Sequence, residues 1–267
     1  MEGYVVVRGG GDLATGVIQK LHRSGFKVII LEAEKPTAIR RNVSFCEAVY
    51  EGSTEIEGIK CVRIESVQEI GRVLEIEAIP LIVDEKAECI EEIKPEAVVD
   101  AIMAKRNLGT NRSMADVTIA LGPGFSAPED VNVVIETMRG HNLGRLIFSG
   151  KAMENTGIPG AIGGFDKERV IYSPAEGKIT NLKEIGAVVK KGDLLAFAGS
   201  KPVFAEIDGV LRGIIKSGFH VNKGFKIADI DPRISETENC NTISDKARAI
   251  GGAVLEALLY LRRTRRG

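Results

Sequence analysis

Near its start the chain carries the run Tyr4-Val5-Val6-Val7-Arg8-Gly9-Gly10-Gly11-Asp12-Leu13-Ala14-Thr15-Gly16. A short β-branched run leads into glycines, and apolar residues then recur at the spacing of a helix, at Leu13, Val17, Ile18 and Leu21. Gly25 is suited to end that helix, and Lys27–Glu32 has the composition of a second strand. Strand, glycine turn, helix and strand in this order predict the opening unit of a dinucleotide-binding α/β fold.

The glycine turn predicts a site for an anion. Gly9-x-Gly11-x-x-Ala14 fits the dinucleotide fingerprint in its alanine-ended form. Free N–H groups and the positive end of the helix dipole favour a phosphate at the helix start. Glu32, at the end of the second strand, is suited to accept a hydrogen bond from a ribose hydroxyl. We therefore predict ligand contacts from the turn and this strand end, at Gly9, Gly10, Gly11, Asp12, Ala14, Thr15 and Glu32.

The same glycines have a structural alternative, a turn that packs a helix onto a sheet and binds nothing. Asp12 bears on the choice between the two. A carboxylate at the mouth of the turn would repel a phosphate unless it caps the helix.

The composition is that of a soluble globular protein. The 267 residues suffice for one large or two smaller domains, and the net charge of −1 gives no general affinity for polyanions or membranes. The sequence contains no run of about 18 apolar residues, and its first residues read as a strand rather than a signal peptide. Without tryptophan, base-stacking surfaces are not expected. We predict a cytoplasmic protein that binds neither nucleic acid nor membrane.

The four cysteines and three histidines predict no metal site. Cys46, Cys61, Cys89 and Cys240 form no C-x-x-C pair, which indicates free thiols in a reducing compartment. The histidines lack metal-ligand spacing. The candidate catalytic residues are nevertheless Cys46, Cys240 and His141. His141 is a candidate because it lies among two arginines and an amide in Arg139–Arg145. The alternatives are a buried small side chain for Cys46 and a surface turn for the cluster.

Alternating strands and helices continue to about residue 124. Apolar runs at 59–64, 80–84, 97–101 and 117–124 predict a mostly parallel sheet, with ligands at the carboxyl ends of its strands. We therefore add ligand contacts at two strand ends and in two basic loops, at Asp100, Gly122, Gly124, Arg40, Arg41, Lys105 and Arg106. A solvated basic turn is the alternative for Arg40 and Arg41.

The second half contains an internal repeat. Glycine, apolar and lysine positions recur 32 residues later, where Gly177, Ile179, Gly186, Val189, Lys191, Gly192, Leu195 and Ala196 become Gly209, Leu211, Gly218, Val221, Lys223, Gly224, Ile227 and Ala228. Two such copies resemble the biotinyl/lipoyl barrel-sandwich hybrid. That resemblance places Lys201 at the position of the carrier lysine, but the adjacent Pro202 restricts its backbone and favours a structural role.

A final amphipathic helix presents one apolar face, formed by Ala247, Ile250, Val254, Leu258 and Leu261. With a domain boundary near Thr156–Gly160, we predict a Rossmann-like domain at 1–165 and a barrel-sandwich hybrid at 166–235. Residues 236–267 would be a linker and a C-terminal helix that packs back on the first domain.

Several runs resemble one bacterial and archaeal family, the selenium-dependent molybdenum hydroxylase system proteins (YqeB-like). These runs are Val7–Gly16, Glu34–Arg41, Ala104–Thr110, Leu121–Phe125, Arg139–Arg145, Thr156–Gly160 and Ile243–Gly252. The first domain is also distantly similar to xanthine dehydrogenase accessory factors. The resemblance implies an accessory factor for the maturation of molybdenum-cofactor hydroxylases such as purine or xanthine dehydrogenases.

Under this interpretation the glycine turn binds an anionic pterin- or dinucleotide-type ligand, with molybdenum cofactor and NAD(P) as candidates. Cys46 or Cys240 would carry a chalcogen, and the partner would be a molybdenum hydroxylase or one of its cofactor-assembly proteins. Two alternatives stay open, an NAD(P)-dependent oxidoreductase and a non-catalytic scaffold that docks on a hydroxylase. Whether the protein is an enzyme, uses selenium or forms a homo-oligomer is left undecided by the sequence.

Overall fold

A computed structural model describes residues 3–155, 157 and 163–266. The chain divides into two compact units. The first consists of Met1–Pro36, Ser44–Asn155 and Ile243–Gly267, and the second of Thr37–Val43 and Thr156–Thr242. The predicted boundary segment Thr156–Gly160 lies outside the described residues except for Gly157, and the domain limits drawn from the sequence stay a prediction.

Eleven strands are described in the first unit. They are β1 (Tyr4–Arg8), β2 (Lys27–Glu32), β3 (Ser53–Ile56), β4 (Ile59–Ile64), β5 (Ile79–Val83), β6 (Ala97–Asp100), β7 (Val117–Leu121), β8 (Ser126–Ala127), β9 (Val133–Ile135), β10 (Leu146–Ile147) and β11 (Gly150–Lys151). Nine of them form one sheet in the order β10-β9-β7-β6-β1-β2-β5-β4-β3, and β8 pairs with β11. The strands of the large sheet pair in parallel except at its edges, β3–β4 and β9–β10. The α/β class and the mostly parallel sheet predicted from the sequence are confirmed.

The strand order creates a switch point beside β1. After β5 the chain crosses to the other side of β1 and adds β6, β7 and β9 there. The carboxyl ends of β1 and β6 are thus neighbours from which the two halves of the sheet diverge. Such a divergence opens the crevice in which doubly wound α/β folds bind ligands.

Helices cover both faces of this sheet. They are α1 (Asp12–Arg23), α2 (Ala48–Glu51), α3 (Ile70–Glu75), α4 (Ile90–Ile93) and α5 (Asp245–Arg266). This unit also has 3₁₀ turns at Phe45–Glu47, Val67–Glu69 and Arg112–Met114, and the second unit has 3₁₀ turns at Arg41–Val43 and Ile234–Asn241. Successive strand residues point to opposite faces, so Val5 and Val7 pack with α1 and α5 while Val6 packs with α3 and α4. Burial on both faces explains the unbroken apolar runs of these strands.

The C-terminal helix α5 covers the half of the sheet that lacks long crossover helices. Between β6 and β9 the described connections contain loops, a 3₁₀ turn and the two-residue strand β8. Helix α5 packs against α1, β7 and β9, and Ile250, Val254 and Leu258 are buried in the same core as Val5. The sheet face next to α1 is therefore closed by a segment from the far end of the sequence.

The second unit is built from eight short strands. They are β12 (Val170–Tyr172), β13 (Gly177–Asn181), β14 (Val188–Val189), β15 (Leu194–Ala198), β16 (Lys201–Phe204), β17 (Gly209–Ile214), β18 (His220–Val221) and β19 (Lys226–Asp231). Among the described residues they form two antiparallel sheets, β12-β19-β17-β14 and β16-β15-β13-β18. The two sheets share one apolar core.

The sequence repeat relates one sheet of this unit to the other. Gly177 pairs with Val221, and its counterpart Gly209 pairs with Val189, so each copy contributes a short strand to the sheet of the other copy. A Cβ on Gly177 would lie 2.7 Å from the amide nitrogen of Gly199, and one on Gly209 would lie 2.2 Å from the carbonyl oxygen of Asp231. The repeated glycine thus permits the same close backbone approach in both copies.

In the part of the chain that the structure describes, no helix combines the length and apolar character needed to cross a bilayer.

Candidate functional site

The three glycines after β1 differ in how closely other atoms approach them. A Cβ on Gly9, whose φ is 99°, would lie 3.0 Å from the carbonyl carbon of Ala101, and one on Gly10 would lie 2.9 Å from the amide nitrogen of Cys46. Gly11 has extended backbone as the N-cap of α1, and no atom lies within 4 Å of its missing Cβ. Packing therefore explains Gly9 and Gly10. Gly11 alone among the three faces open space, at the position where the fingerprint brings backbone next to a phosphate.

The acid at the end of β2 is bound to this turn. One carboxylate oxygen of Glu32 accepts from the Gly10 amide at 2.7 Å, and the other accepts from the Ala33 amide at 2.8 Å. Burial raises the pKa of Glu32 although these two bonds act to lower it, and the charge of Glu85 adds to the rise. The carboxylate predicted to hold a ribose hydroxyl is thus engaged by the protein's own backbone.

Residues after the glycine turn hold it in place. Ala14 is buried in the core, as close packing of helix and strand requires. The buried Thr15 hydroxyl donates to the Gly11 carbonyl at 3.0 Å and accepts from the Phe45 amide at 3.1 Å. The Cys46 amide donates to the Gly10 carbonyl at 2.9 Å. The segment at 45–46 therefore fixes one side of the turn.

A buried polar network occupies the switch point. Arg8, at the end of β1, is 1% exposed and donates to the Thr110 hydroxyl and, at 2.9 Å, to the Glu85 carbonyl. The Thr110 hydroxyl in turn donates to Asp100 at 2.6 Å. Burial raises the pKa of Asp100, while its bonds to Thr110 and Ile102 and the charge of Arg8 oppose the rise. Asp100, predicted as a ligand contact, is satisfied inside the protein.

The loop that follows β6 has an unusual backbone. Met103 and Lys105 both adopt left-handed conformations, with φ of 61° and 62°, although neither is glycine. Lys105 and the neighbouring Arg106 are exposed. Left-handed non-glycine residues cost energy and cluster at ligand sites. This loop therefore presents two cations beside the switch point.

The glycines that follow β7 are required by packing. A Cβ on Gly122 would lie 2.6 Å from the Thr137 hydroxyl, and one on Gly124 would lie 2.7 Å from the Arg106 backbone. Both have positive φ, at 71° and 109°. Gly124 thus allows the basic loop to rest on the loop after β7.

Sequence analysis missed Lys246 and Glu136. Lys246 lies half-buried in the first turn of α5, where burial lowers its pKa, the charge of Arg139 lowers it further, and Asp12, Glu136 and Asp245 oppose the change. Asp12 is the first residue of α1. A cation in the first turn of a helix opposes the helix dipole, and this signal was legible in the sequence.

Glu136 directly follows β9 and is 3% exposed. Its carboxylate accepts from the Met138 amide at 2.7 Å and from the Met153 amide at 2.8 Å. An acid at the end of the buried run Val133–Ile135 was the sequence signal for it. Two backbone amides therefore hold the carboxylate whose charge acts on Lys246.

The candidate catalytic thiols are buried. Cys46 is 1% exposed, and burial raises its pKa well above its usual range. Cys240, in the second unit, is 2% exposed, and burial raises its pKa as well. A reactive thiol needs a lowered pKa and access, so both have the properties of structural cysteines. His141 is exposed in the loop between β9 and β10.

Arg40 and Arg41 belong to the second unit. Arg40 is buried and donates to the carbonyls of Asn239 and Thr242, both at 3.2 Å. Arg41 donates to the Ile214 carbonyl at 2.8 Å. Their contact with a ligand of the glycine turn stays a prediction.

Among the described residues, no group of three or more His, Cys, Asp or Glu side chains could hold a metal ion.

No protein-family model matches the chain. Solved structures give weak similarities. The product-bound ectoine utilization protein EutE (DoeB) from Ruegeria pomeroyi is 15% identical over 79% of this chain and 61% of its own, with a TM-score of 0.24. An aspartoacylase family protein from Mesorhizobium loti is 9% identical over 80% and 59%, with a TM-score of 0.25. A succinylglutamatedesuccinylase/aspartoacylase from Rhodobacter sphaeroides is 9% identical over 85% of each chain, with a TM-score of 0.27. Such low TM-scores carry no conclusion about function.

One curated sequence is much closer. The protein named Uncharacterized protein YqeB, from Escherichia coli (strain K12), is 51% identical over 257 residues, which are 96% of this chain and 47% of that protein. The chain therefore spans about half the length of this relative. The identity supports a YqeB-like relationship over nearly the whole chain.

Proposed function

We propose that the protein is an accessory factor in the maturation of molybdenum-cofactor hydroxylases, including selenium-dependent ones. In this proposal its first unit binds an anionic pterin- or dinucleotide-type ligand at the turn formed by residues 9–15. The supporting observation is Gly11, which faces open space at the start of a 12-residue helix while Gly9 and Gly10 are explained by packing. A phosphate there would meet backbone N–H groups and the positive end of the helix dipole.

Cations close to the turn support the binding of an anion there. Carboxylates also lie nearby. Asp12 begins α1, Asp100 is bonded to Thr110 and the Ile102 amide, and Glu32 and Glu136 accept from backbone amides. Lys105 and Arg106 are exposed on the neighbouring loop, and Lys246 carries a charge that burial destabilises. A bound anion would stabilise the charged form of Lys246.

For the second unit we propose the barrel-sandwich hybrid architecture and a docking role toward a hydroxylase or a cofactor-assembly protein. The support is the repeat, which relates two four-stranded sheets strand by strand around a shared core. Lys201 is an exposed residue at the start of β16. The neighbouring Pro202 favours a structural hairpin over a carrier site.

Equilibrium binding to the purified protein tests the ligand proposal, with molybdenum cofactor, NAD(P) and ADP as probes. Gly11→Asp should abolish binding without lowering the unfolding temperature, because aspartate is a favourable N-cap residue and its carboxylate would take the N–H groups that the anion needs. Gly71→Asp is the matched control, since it adds the same charge at another helix position with no atom within 4 Å of the new Cβ. If the wild-type protein binds none of the probes saturably, the proposal is wrong.

The accessory role has a separate test. A molybdenum hydroxylase or a cofactor-assembly protein should co-purify with the native protein, and the ligand should increase its recovery. Ligand-independent recovery would instead favour a scaffold.

A further inference from the structure

The carboxylate of Glu32 is hydrogen-bonded to the glycine turn. Its two carboxylate oxygens accept from Gly10 at 2.7 Å and from Ala33 at 2.8 Å, so an anion already sits on an amide of the fingerprint turn. The same carboxylate ends β2, whose neighbour β1 leads directly into the turn. The turn is thus held in a conformation that an anionic group stabilises, and that anion belongs to the chain itself.

The Gly10 and Ala33 amides are the hydrogen-bond donors that stabilise the charge of Glu32. The side chains that act on it, or on which it acts, are Glu85 from the loop after β5 and Cys46 and Tyr50 from the segment beside the turn. Glu85 is a carboxylate, whereas burial raises the pKa of the Cys46 thiol well above its usual range and that of Tyr50 to about 12, so the thiol and the phenol are neutral near pH 7. A second anion next to Glu32 would meet repulsion at short range in a partly desolvated site.

We propose that Glu32 is a specificity-determining residue that competes with external anions for the glycine turn. This inference rests on the function proposed above. A polyanion without hydrogen-bond donors, such as pyrophosphate, can bind only by displacing the carboxylate from Gly10 or by tolerating its charge. A ligand that joins a phosphate to hydroxyl groups can instead donate to the displaced carboxylate. Glu32 therefore selects phosphate esters that carry donors over bare polyphosphates.

Calorimetric titration with pyrophosphate and with ADP tests this competition. Glu32→Gln should bind pyrophosphate at least about tenfold more tightly than the wild-type protein, because the repelling charge is gone. ADP affinity should rise less or fall, since its hydroxyls lose an ionised acceptor. The matched control is Glu85→Gln, which removes an exposed carboxylate that acts on Glu32 but is not bonded to the turn. It should change pyrophosphate affinity by less than about threefold.

The outcomes separate this inference from the proposed function. If the wild-type and Glu32→Gln proteins bind pyrophosphate with equal affinity, the proposed competition is wrong, but the binding site proposed above still stands. Failure of both proteins to bind either probe would overturn the competition, and it would overturn the proposed function as well only if molybdenum cofactor and NAD(P) also fail to bind. If Glu32→Gln does not fold, the wild-type amide resonances provide the readout. Competition requires the Gly10 and Ala33 signals to shift together on pyrophosphate addition, and a shift of Gly11 alone would refute it.

Discussion

A Cβ atom on Gly251 would lie 2.4 Å from the carbonyl oxygen of Gly16, so helices α1 and α5 cross with their backbones in direct contact. Alanine at position 251 would push the helices apart within the main core. We expect Gly251→Ala to lower the free energy of unfolding by about 1–3 kcal/mol, the usual cost of overpacking. Urea denaturation measures this change.

The adjacent glycine is the control for that prediction. No atom lies within 4 Å of the Cβ position of Gly252, which is also in α5. Gly252→Ala should therefore raise the free energy of unfolding by up to about 1 kcal/mol through helix propensity alone. Equal effects of the two substitutions would contradict the close crossing.

Asp100 should make stability depend on pH. Burial raises the pKa of Asp100, so the folded protein binds its proton more tightly than the unfolded chain does. Its contribution to the free energy of unfolding is therefore full below the ordinary aspartate pKa and is lost as the pH rises through the raised value. Asp100→Asn removes this titration. The stability of the wild-type protein relative to the variant should decrease with rising pH in urea titrations, and parallel profiles would be inconsistent with the raised pKa.

Lys246 should strengthen anion binding. Its lowered pKa reflects a desolvated charge that an anion at the neighbouring start of α1 would offset. We expect Lys246→Gln to weaken the binding of the preferred phosphate ligand about tenfold, as the loss of one charge-assisted hydrogen bond would. Lys60→Gln, at an exposed position on β4, is the charge-matched control. Unchanged affinity in Lys246→Gln would exclude a contact with the ligand.

Thiol labelling should be slow in the folded protein. Cys46, Cys61 and Cys240 are buried, and burial raises the pKa of the half-buried Cys89 to about 12. At pH 7 we expect Cys89 to react first and the buried thiols to react only when urea unfolds the protein. Mass spectrometry of the alkylated protein identifies the order. Rapid labelling of Cys46 or Cys240 would contradict this expectation and support that cysteine as a chalcogen carrier.

Local sequence patterns were sufficient to predict the class of the fold. The β-branched run at β1, the helical spacing after Gly11 and the apolar run at β2 specify these elements without distant partners. The C-terminal helix was likewise legible from its apolar stripe. What these patterns could not specify is that this helix covers β7 and β9, because that contact joins residues more than a hundred positions apart.

The candidate site was less predictable than the fold. The fingerprint indicates where glycines occur but not why, and here packing against Ala101 and Cys46 explains Gly9 and Gly10. Glu32 stood at the expected strand end, but the direction of its carboxylate depends on rotamers and on the turn it bonds. Burial of the two candidate thiols likewise depends on tertiary packing, which residue spacing does not encode.

The placement of α5 has a consequence for the order of events during protein synthesis. Because residues 243–258 finish the hydrophobic layer that α1 begins, a nascent chain that has emerged only through the second unit still lacks that layer. Its exposed sheet face would be a target for chaperones and for proteases until α5 has left the ribosome. The first unit can therefore complete its core only after α5 has been translated.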